Sequence, residues 1–333
     1  MSSGSISKYF NKPPTPTQNR QDKRRDTLRQ TAESTLAVLP RLISQYRAFN
    51  AQASTTYNLD STPPLDPSKC PGFKLPPSSD DAIETAEEKE GGTKGLGTRI
   101  RVINGDTLDT AASLQQDPTV GEITRPIPTS TTPHKPVLIL NLASEKHAGG
   151  GWRNGAMAQE EELCYRTTLS VSLHKHYYPI PSLTCLYSPN VVLFRSSFTS
   201  NHTLTQLLPL DMPVYSVLSI AGLRSPAVTD SGKFADDGDR KALKDKIRLV
   251  LRVAATEGHT KLVLGALGCG VFRNPPAEVA ECFLGVFAEK EFCGGWWEDV
   301  VFAVMDNAPE GRDGQTGKGN FGVFWRALDG KVV

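Results

Sequence analysis

The sequence predicts an α/β protein in which helices cover both faces of a mixed β-sheet. Two short runs, 137–142 and 261–267, are almost entirely apolar and bounded by turn residues, as expected of central strands that are buried on both faces. Other strand-like runs alternate along the chain with segments of helical periodicity. Because strands that alternate with helices form layered folds, we expect a three-layer α/β/α sandwich.

The individual elements follow from local residue patterns. Residues 22–50 place apolar side chains on a helical stripe behind a basic Lys-Arg-Arg start, which predicts an N-terminal helical extension. Residues 98–104 alternate apolar and polar positions, as a half-buried strand does. The remaining helices are expected at 106–114, 159–177, 237–257 and 276–290, and the remaining strands at 137–142, 191–194, 214–220, 261–267 and 300–304.

Two segments are too polar to contribute to a hydrophobic core. Residues 1–21 are rich in Ser, Pro, Thr, Asn and Lys, so we expect a disordered tail. Residues 51–97 contain many Pro, Ser, Thr, Gly and acidic residues, which predicts a long surface loop. We therefore expect one folded domain over residues 22–333, with this loop inside it.

The composition excludes several classes of partner. Lysine and arginine (37) nearly balance aspartate and glutamate (36), so no overall basic field would hold nucleic acid directly. No apolar run approaches the roughly 20 residues that span a membrane. The six cysteines are scattered without a Cys-x-x-Cys pair, which favours a reducing compartment and argues against a structural zinc. We expect a protein of the nucleus, the cytoplasm or both.

A glycine triplet followed by acidic residues is the most informative feature of the chain. Gly149, Gly150 and Gly151 precede Gln159-Glu160-Glu161, with seven residues between the two groups. Three glycines expose the main-chain amides to close approach and allow positive φ. The acidic residues begin a predicted helix, where an acid could act on a ligand held by the glycines. The alternative to a ligand site is a purely structural role. The glycines would then form a flexible loop, and the acidic first turn of the helix would only complement the helix dipole.

A second glycine-rich segment, 265–276, follows a predicted buried strand and precedes a predicted helix. Its Gly268 and Gly270 would let successive amides converge on a diphosphate, although glycine turns also serve close packing. Both glycine-rich segments follow predicted strands, and ligands of open α/β sheets bind beyond the carboxyl ends of the strands. The two segments therefore predict a single site.

These residues resemble a known family. The glycine triplet, the spacer and Gln-Glu-Glu resemble the signature of poly(ADP-ribose) glycohydrolases, and Gly-Cys-Gly-Val-Phe-Arg-Asn-Pro resembles the diphosphate loop of their macrodomain fold. The surrounding residues, Asn-Leu-Ala-Ser before the glycines and Ala-Met-Ala after them, are similar to the microbial and fungal form. The resemblance covers residues 25–330 and implies a macrodomain-like enzyme that needs no cofactor or metal.

The resemblance also implies a function. Such an enzyme hydrolyses the ribose–ribose O-glycosidic bonds of poly(ADP-ribose) on modified proteins and releases ADP-ribose. Glu161 would be the catalytic acid and base, and Glu160 would grip the neighbouring ribose. We interpret Glu162, outside the matched motif, as a solvated helix residue. The implied substrate-binding residues are Asn141, Gly149, Gly150, Gly151, Gln159, Gly268, Cys269, Gly270, Val271 and Phe272.

Two other functions fit the same residues. A macrodomain can bind ADP-ribose without cleaving it, and a related hydrolase could remove single ADP-ribose units. The presence of both Glu160 and Glu161 favours the polymer-cleaving enzyme over the binding module.

The N-terminal tail contains one motif-like segment, Ser3-Gly-Ser-Ile-Ser-Lys-Tyr-Phe. An aliphatic residue followed three positions later by two aromatic residues can form one helical turn that fills an apolar pocket on a partner. The segment resembles the motif by which replication and repair proteins bind the sliding clamp, which implies that Ile6, Tyr9 and Phe10 make the contact. Ser3 replaces the usual glutamine, and a tail without a partner is the alternative.

Overall fold

A seven-stranded mixed sheet forms the centre of the fold. The computed structural model describes residues 16–46, 48–75, 95–114, 118–125, 135–308 and 314–333. The strands are β1 (Thr55–Asn58), β2 (Arg101–Ile103), β3 (Leu138–Leu142), β4 (Thr184–Val192), β5 (Val214–Ile220), β6 (Lys261–Leu264) and β7 (Asp299–Ala303). Their order is β1-β4-β5-β3-β6-β7-β2, and only the β1–β4 and β4–β5 pairs are antiparallel. The predicted mixed sheet is confirmed.

The helices are α1 (Pro16–Ser44), α2 (Thr107–Ser113), α3 (Val120–Thr124), α4 (Gln159–Arg166), α5 (Leu169–Ser172), α6 (Asp237–Thr256), α7 (Pro276–Phe287) and α8 (Asn320–Leu328). Side-chain caps begin several of them, because an N-terminal turn leaves its amides without partners. Asp106 accepts hydrogen bonds from two amides of α2, and Thr119 with Glu122 forms a capping box on α3. Within the described residues, no helix has the length and apolarity to cross a membrane.

The helices form two layers, one on each face of the sheet, as predicted. In β3, Leu138 and Leu140 pack in a core with α6, α7 and α8, whereas Ile139 packs in a second core with α2, α4 and α5. This alternation follows from the two-residue period of a strand. Asn141 shares the face of Ile139, so the end of the central strand presents a polar side chain toward α4.

Helix α1 belongs to the layer that contains α4. Leu28 and Ala32 pack into that core, and the Thr35 hydroxyl donates a hydrogen bond to the Tyr165 carbonyl at 2.9 Å. The helix begins at Pro16, so the prediction of a disordered tail through residue 21 is wrong for residues 16–21. Polar residues of ordinary helix propensity can extend a helix that is already anchored by packing further along.

Several predicted boundaries also changed. The segment 51–97 was expected to be a loop, but it contains β1, which pairs with β4 at the edge of the sheet. Its sequence Thr-Thr-Tyr-Asn has no buried face to produce an apolar pattern. The predicted strand 191–194 is the end of the longer β4, whose β-bulge between Ser188 and Val191 interrupts the apolar run. The predicted helix 159–177 divides into α4 and α5, because Thr167 adopts an extended conformation.

The contact between α1 and the turn after the glycine triplet can be tested at Gly155. This residue has a φ of 74°, and a Cβ atom there would overlap the carbonyl oxygen of Arg25. Gly258 has a φ of 76°, and no atom lies within 4 Å of the position where its Cβ would be. Substitution of Gly258 by alanine therefore measures only the cost of placing a side chain in this backbone conformation. We expect Gly258→Ala to lower the free energy of unfolding by ~1 kcal/mol, and Gly155→Ala by a further ~1–3 kcal/mol from overpacking. Chemical denaturation measures both, and equal losses would contradict a tight α1 contact.

Candidate active site

Two buried carboxylates on the first turn of α4 form the centre of the candidate site. Glu160 is 3% exposed and Glu161 is 8% exposed. Burying a carboxylate is unfavourable unless it is hydrogen-bonded or protonated, so such a pair needs dedicated partners. The N-terminal end of the helix favours negative charge there. The remaining partners come from the glycine triplet and from the segment that follows β3.

Glu161 is held by the glycine triplet. Its Oε1 atom accepts a hydrogen bond from the Gly151 amide at 2.8 Å. Its Oε2 atom has no hydrogen-bond partner among the described residues. A Cβ atom on Gly150, whose φ is 60°, would overlap Glu161 Oε1 and lie 3.0 Å from Glu160 Oε2. Glycine is therefore needed at position 150 both for its backbone conformation and for the approach of the carboxylates.

Glu160 is bonded to the segment at the end of β3. Its Oε2 atom accepts a hydrogen bond from the Ser144 amide at 2.7 Å, and Asn141 Nδ2 lies 3.4 Å from Oε1. Burial raises the pKa of Glu160 to about 8, and the nearby Glu161 raises it as well. These two effects outweigh the hydrogen bonds from Ser144 and Asn141, which lower the pKa. At neutral pH Glu160 therefore carries a proton most of the time.

The amide side chain of Asn141 is completely buried below the carboxylates. Its Nδ2 atom donates to the Ser219 hydroxyl at 2.9 Å as well as toward Glu160. Its Oδ1 atom has no hydrogen-bond partner among the described residues. The structure thus places Asn141 at the site, as a support for Glu160.

Gln159 joins the start of α4 to the end of β3. Its Oε1 atom accepts a hydrogen bond from the Leu142 amide at 2.9 Å, and its Nε2 atom donates to the Leu140 carbonyl at 2.8 Å. Both ends of the side-chain amide are thus bonded to the main chain of β3. This contact sets the position of the helix that carries the two glutamates, and substrate binding by Gln159 stays a prediction.

The other two triplet glycines are packed against the protein. A Cβ atom on Gly149, whose φ is 74°, would lie 2.8 Å from both Cys164 Sγ and Trp152 Cδ1. A Cβ atom on Gly151 would lie 2.9 Å from Ala156 Cβ. The triplet therefore serves close packing around the carboxylates, in addition to any approach by a ligand.

The second glycine-rich loop presents free backbone donors. The amides of Gly268, Gly270, Val271 and Phe272 make no hydrogen bonds within the described part of the chain. The buried Asn274 side chain fixes this loop from below, because its Nδ2 atom donates to the carbonyls of Leu223 (2.6 Å) and Gly268 (3.1 Å). We call residues 268–272 the diphosphate loop, after the family segment that they resemble. Free backbone amides at such a turn can form an anion-binding concavity, and diphosphate binding here stays a prediction.

The remaining side chains of this loop differ in exposure. Cys269 is buried, so only its main chain faces a ligand, and burial raises the pKa of its thiol. Val271 is 79% exposed. Phe272 is half-buried, and its ring lies under the guanidinium of Arg224 at 4.6 Å.

Arg224 connects the two glycine-rich segments. Its Nε atom donates to Glu145 Oε1 at 2.9 Å, in the loop between β3 and the glycine triplet, while its guanidinium covers Phe272. The Ser225 amide also donates to the Phe272 carbonyl at 2.8 Å. The structure therefore brings the two glycine-rich segments to one end of the sheet, beside the carboxylates.

The interpretation of Glu162 as a solvated residue is wrong. Its side chain is 12% exposed, and both of its oxygens lie 3.0 Å from His202 Nε2. The Phe198 amide donates to Glu162 as well, at 3.2 Å. Glu162 therefore anchors the outer side of α4 to the segment after β4.

Several residues of the site carried no signal in the sequence. Ser219, Arg224 and Glu145 acquire their roles only through contacts between distant segments. Asn274 could have been found, because it lies within the Arg-Asn-Pro run that follows the diphosphate loop. Ile6, Tyr9 and Phe10 lie outside the described residues. No group of three or more His, Cys, Asp or Glu is placed to hold a metal ion in the part of the chain described.

The fold and the site together define a class of protein. A three-layer sandwich with a carboxylate pair against a glycine loop, next to a loop of free amides, is a macrodomain-like hydrolase architecture. Among the described residues, one oxygen of Glu161 accepts a hydrogen bond and the other has no partner, which leaves that oxygen free for acid–base chemistry.

Comparison with known proteins defines the family. Residues 50–196 match the family model "Microbial-type PARG, catalytic domain". The poly(ADP-ribose) glycohydrolase of Thermomonospora curvata superimposes with a TM-score of 0.63 at 26% identity, over 91% of this chain and 99% of that one. The poly(ADP-ribose) glycohydrolase of Deinococcus radiodurans, in complex with ADP-ribose, is 30% identical over 69% of this chain and 84% of that one, with a TM-score of 0.52. The chain belongs to the poly(ADP-ribose) glycohydrolase family. No curated protein sequence matches it.

The raised pKa of Glu160 predicts a pH-dependent stability. Folding raises this pKa from 4.5 to about 8, so the folded state binds more protons than the unfolded state between those values. The contribution of Glu160 to stability is therefore present at low pH and is lost as the pH rises through 8. Relative to the wild type, we expect Glu160→Gln to gain stability between pH 5 and pH 9, by a few kcal/mol at most.

Thermal melts at several pH values measure this difference. Glu122→Gln is the control, because hydrogen bonds from Thr119 lower the pKa of Glu122 and it stays ionised over this range. Its effect on stability should be the same at pH 5 and pH 9. If the stability difference between Glu160→Gln and the wild type were also the same at pH 5 and pH 9, a protonated Glu160 would be contradicted.

Proposed function

We propose that this protein hydrolyses the ribose–ribose O-glycosidic bonds of poly(ADP-ribose) and releases ADP-ribose from modified proteins. The observation that carries the proposal is the geometry of Glu161: the Gly151 amide fixes one carboxylate oxygen, and the other has no hydrogen-bond partner among the described residues. Membership of the glycohydrolase family supports it. Solved relatives also support the ligand, since the D. radiodurans enzyme holds ADP-ribose and the T. curvata enzyme holds the inhibitor ADP-HPD.

The ligand is expected to lie between the two glycine-rich segments. The free amides of the diphosphate loop would bind its diphosphate, because backbone donors at such a turn attract anions. Phe272 lies at the end of this loop under Arg224, where it would cover the ribose. The distal ribose would then reach the carboxylate pair.

The chemistry divides between the two glutamates. Cleavage of an O-glycosidic bond passes through an oxocarbenium-like state, so the leaving oxygen needs a proton and the sugar needs negative charge nearby. Glu161 donates the proton through its unbonded oxygen and then, once ionised, takes a proton from the attacking water. Glu160 is protonated at neutral pH and can donate a hydrogen bond to a ribose hydroxyl.

Glu161→Gln tests the catalytic assignment. The amide keeps the size of the side chain but cannot supply or accept the proton, so we expect kcat on poly(ADP-ribose) to fall by roughly 10²- to 10⁴-fold. Binding of ADP-ribose, measured by calorimetry, should stay within a few-fold of the wild type. Glu281→Gln, an exposed position on α7, is the matched control and should keep full activity. Full activity of Glu161→Gln would contradict its role as the acid and base.

The same assay separates the two alternative functions. A wild-type protein that binds ADP-ribose but releases none from polymer would be a binding module. A protein that acts on mono-ADP-ribosylated substrate and leaves the polymer intact would be a hydrolase of single units.

We further propose that residues 3–10 bind the replication sliding clamp. The spacing of Ile6, Tyr9 and Phe10 supports this partner. It would place the enzyme in the nucleus, and the exposed basic residues Lys23, Arg24 and Arg25 of α1 favour the same location, while a cytoplasmic pool is also expected.

The test compares the full-length protein with a Tyr9→Ala/Phe10→Ala variant for binding to purified clamp. Loss of the two aromatic side chains should weaken binding at least about tenfold, because such anchors dominate short-motif interfaces. Glycohydrolase activity should not change. Equal binding by the two proteins would contradict the proposal.

A further inference from the structure

A cleft of about 570 Å³ with basic residues around it opens beside the glycine triplet. Five of its lining residues are lysine, arginine or histidine, and none of the described residues that line it is acidic. We call it the basic cleft. Its basic lining residues are Lys146, His147, Arg153, His174 and Lys175, and Ser170 and Tyr178 contribute hydroxyl groups.

The positive charge of the basic cleft is not compensated locally. Arg153 and Lys175 form no ion pair with any described residue, and the only carboxylate near Lys146 is Glu145 at 3.9 Å. The whole chain has a formal net charge of only +1, so this concentration of charge is a local feature. A site that attracts anions is the expected consequence.

The basic cleft lies next to the segment that holds the carboxylate pair. His147 and Ala148 precede Gly149 directly, and Trp152 contacts the same glycine. Tyr178 lines the cleft, and its buried hydroxyl has no hydrogen-bond partner among the described residues. Burial is the main cause of the raised pKa of this hydroxyl, and the nearby Glu160 carboxyl group is the next. The cleft is therefore a neighbour of the two glutamates.

The basic cleft is distinct from the diphosphate loop. None of its lining residues belongs to residues 268–272. The segment after β3 connects the two regions, since Glu145 binds Arg224 and Lys146 lines the cleft. A linear polymer of ADP-ribose has a diphosphate on each side of every scissile bond. If one diphosphate occupies the diphosphate loop, the other must lie on the opposite side of Glu161.

We propose that the basic cleft binds the diphosphate of the ADP-ribose unit on the leaving side of the scissile bond. The inference rests on the proposed function. It assigns to Arg153, Lys175 and Lys146 the recognition of polymer beyond the unit that is released. Free ADP-ribose, which lacks this second diphosphate, would not use the cleft.

The test uses an Arg153→Ala/Lys175→Ala variant of the full chain with two substrates. One is poly(ADP-ribose), and the other is ADP-ribose joined through its distal ribose to the 2′-oxygen of adenosine, which has no diphosphate on the leaving side. Two exposed charge contacts predict a rise of about fivefold in KM for the polymer. The variant should keep its kcat, its affinity for free ADP-ribose and its KM for the short substrate. Its KM for polymer should also depend less steeply on salt.

Two control variants complete the design. Lys290→Ala/Lys331→Ala removes the same charge from exposed positions away from the cleft and should leave KM unchanged. Arg153→Lys/Lys175→Arg keeps the charge and should restore most of the affinity for polymer. An unchanged KM for polymer, or an equal rise for both substrates, would overturn the proposal. If the wild type released no ADP-ribose from polymer, the proposed function itself would fail, which is a separate result.

Discussion

The hydrogen bond from the Gly151 amide to Glu161 is the contact on which the rest of the site depends. It fixes a carboxylate that is almost completely buried, and it can form only because Gly150 has no side chain. Without this donor, the cost of burial would favour an uncharged or displaced side chain. The glycine triplet is thus needed first to let the carboxylates pack against the main chain. Any contact between the glycines and a ligand would come in addition to this structural role.

Helix α4 must be held firmly to keep two acids in this position. Gln159 bonds its start to β3, Glu162 bonds its side to His202, and Arg166 bonds its end to Asp106 at 2.5 Å. Helix α1 packs over the same helix through Leu28 and Ala32. The N-terminal extension is therefore part of the support of the active site, since it covers the side of α4 that faces away from the sheet.

The features that the sequence predicted well are those with a local cause. Central strands such as β3 and β5 are mostly apolar, and the two glycine-rich segments are recognisable from composition. The features that the sequence did not predict depend on contacts between segments that are distant along the chain. The burial of Glu162 depends on His202, forty residues away in sequence, and β1 is a strand only because β4 offers an edge. The helical conformation of residues 16–21 likewise depends on packing further along α1.

The donors that surround the carboxylate pair are mostly main-chain groups. Ser144 and Gly151 contribute amides, which a substitution of the side chain does not remove. Substitutions at many of the surrounding positions would therefore leave the hydrogen bonds to the two carboxylates in place. The surfaces that would meet the substrate, such as the exposed Val271 and the rim of the basic cleft, are made of side chains. Relatives of this protein can thus diverge in how they hold the polymer while they cleave it in the same way.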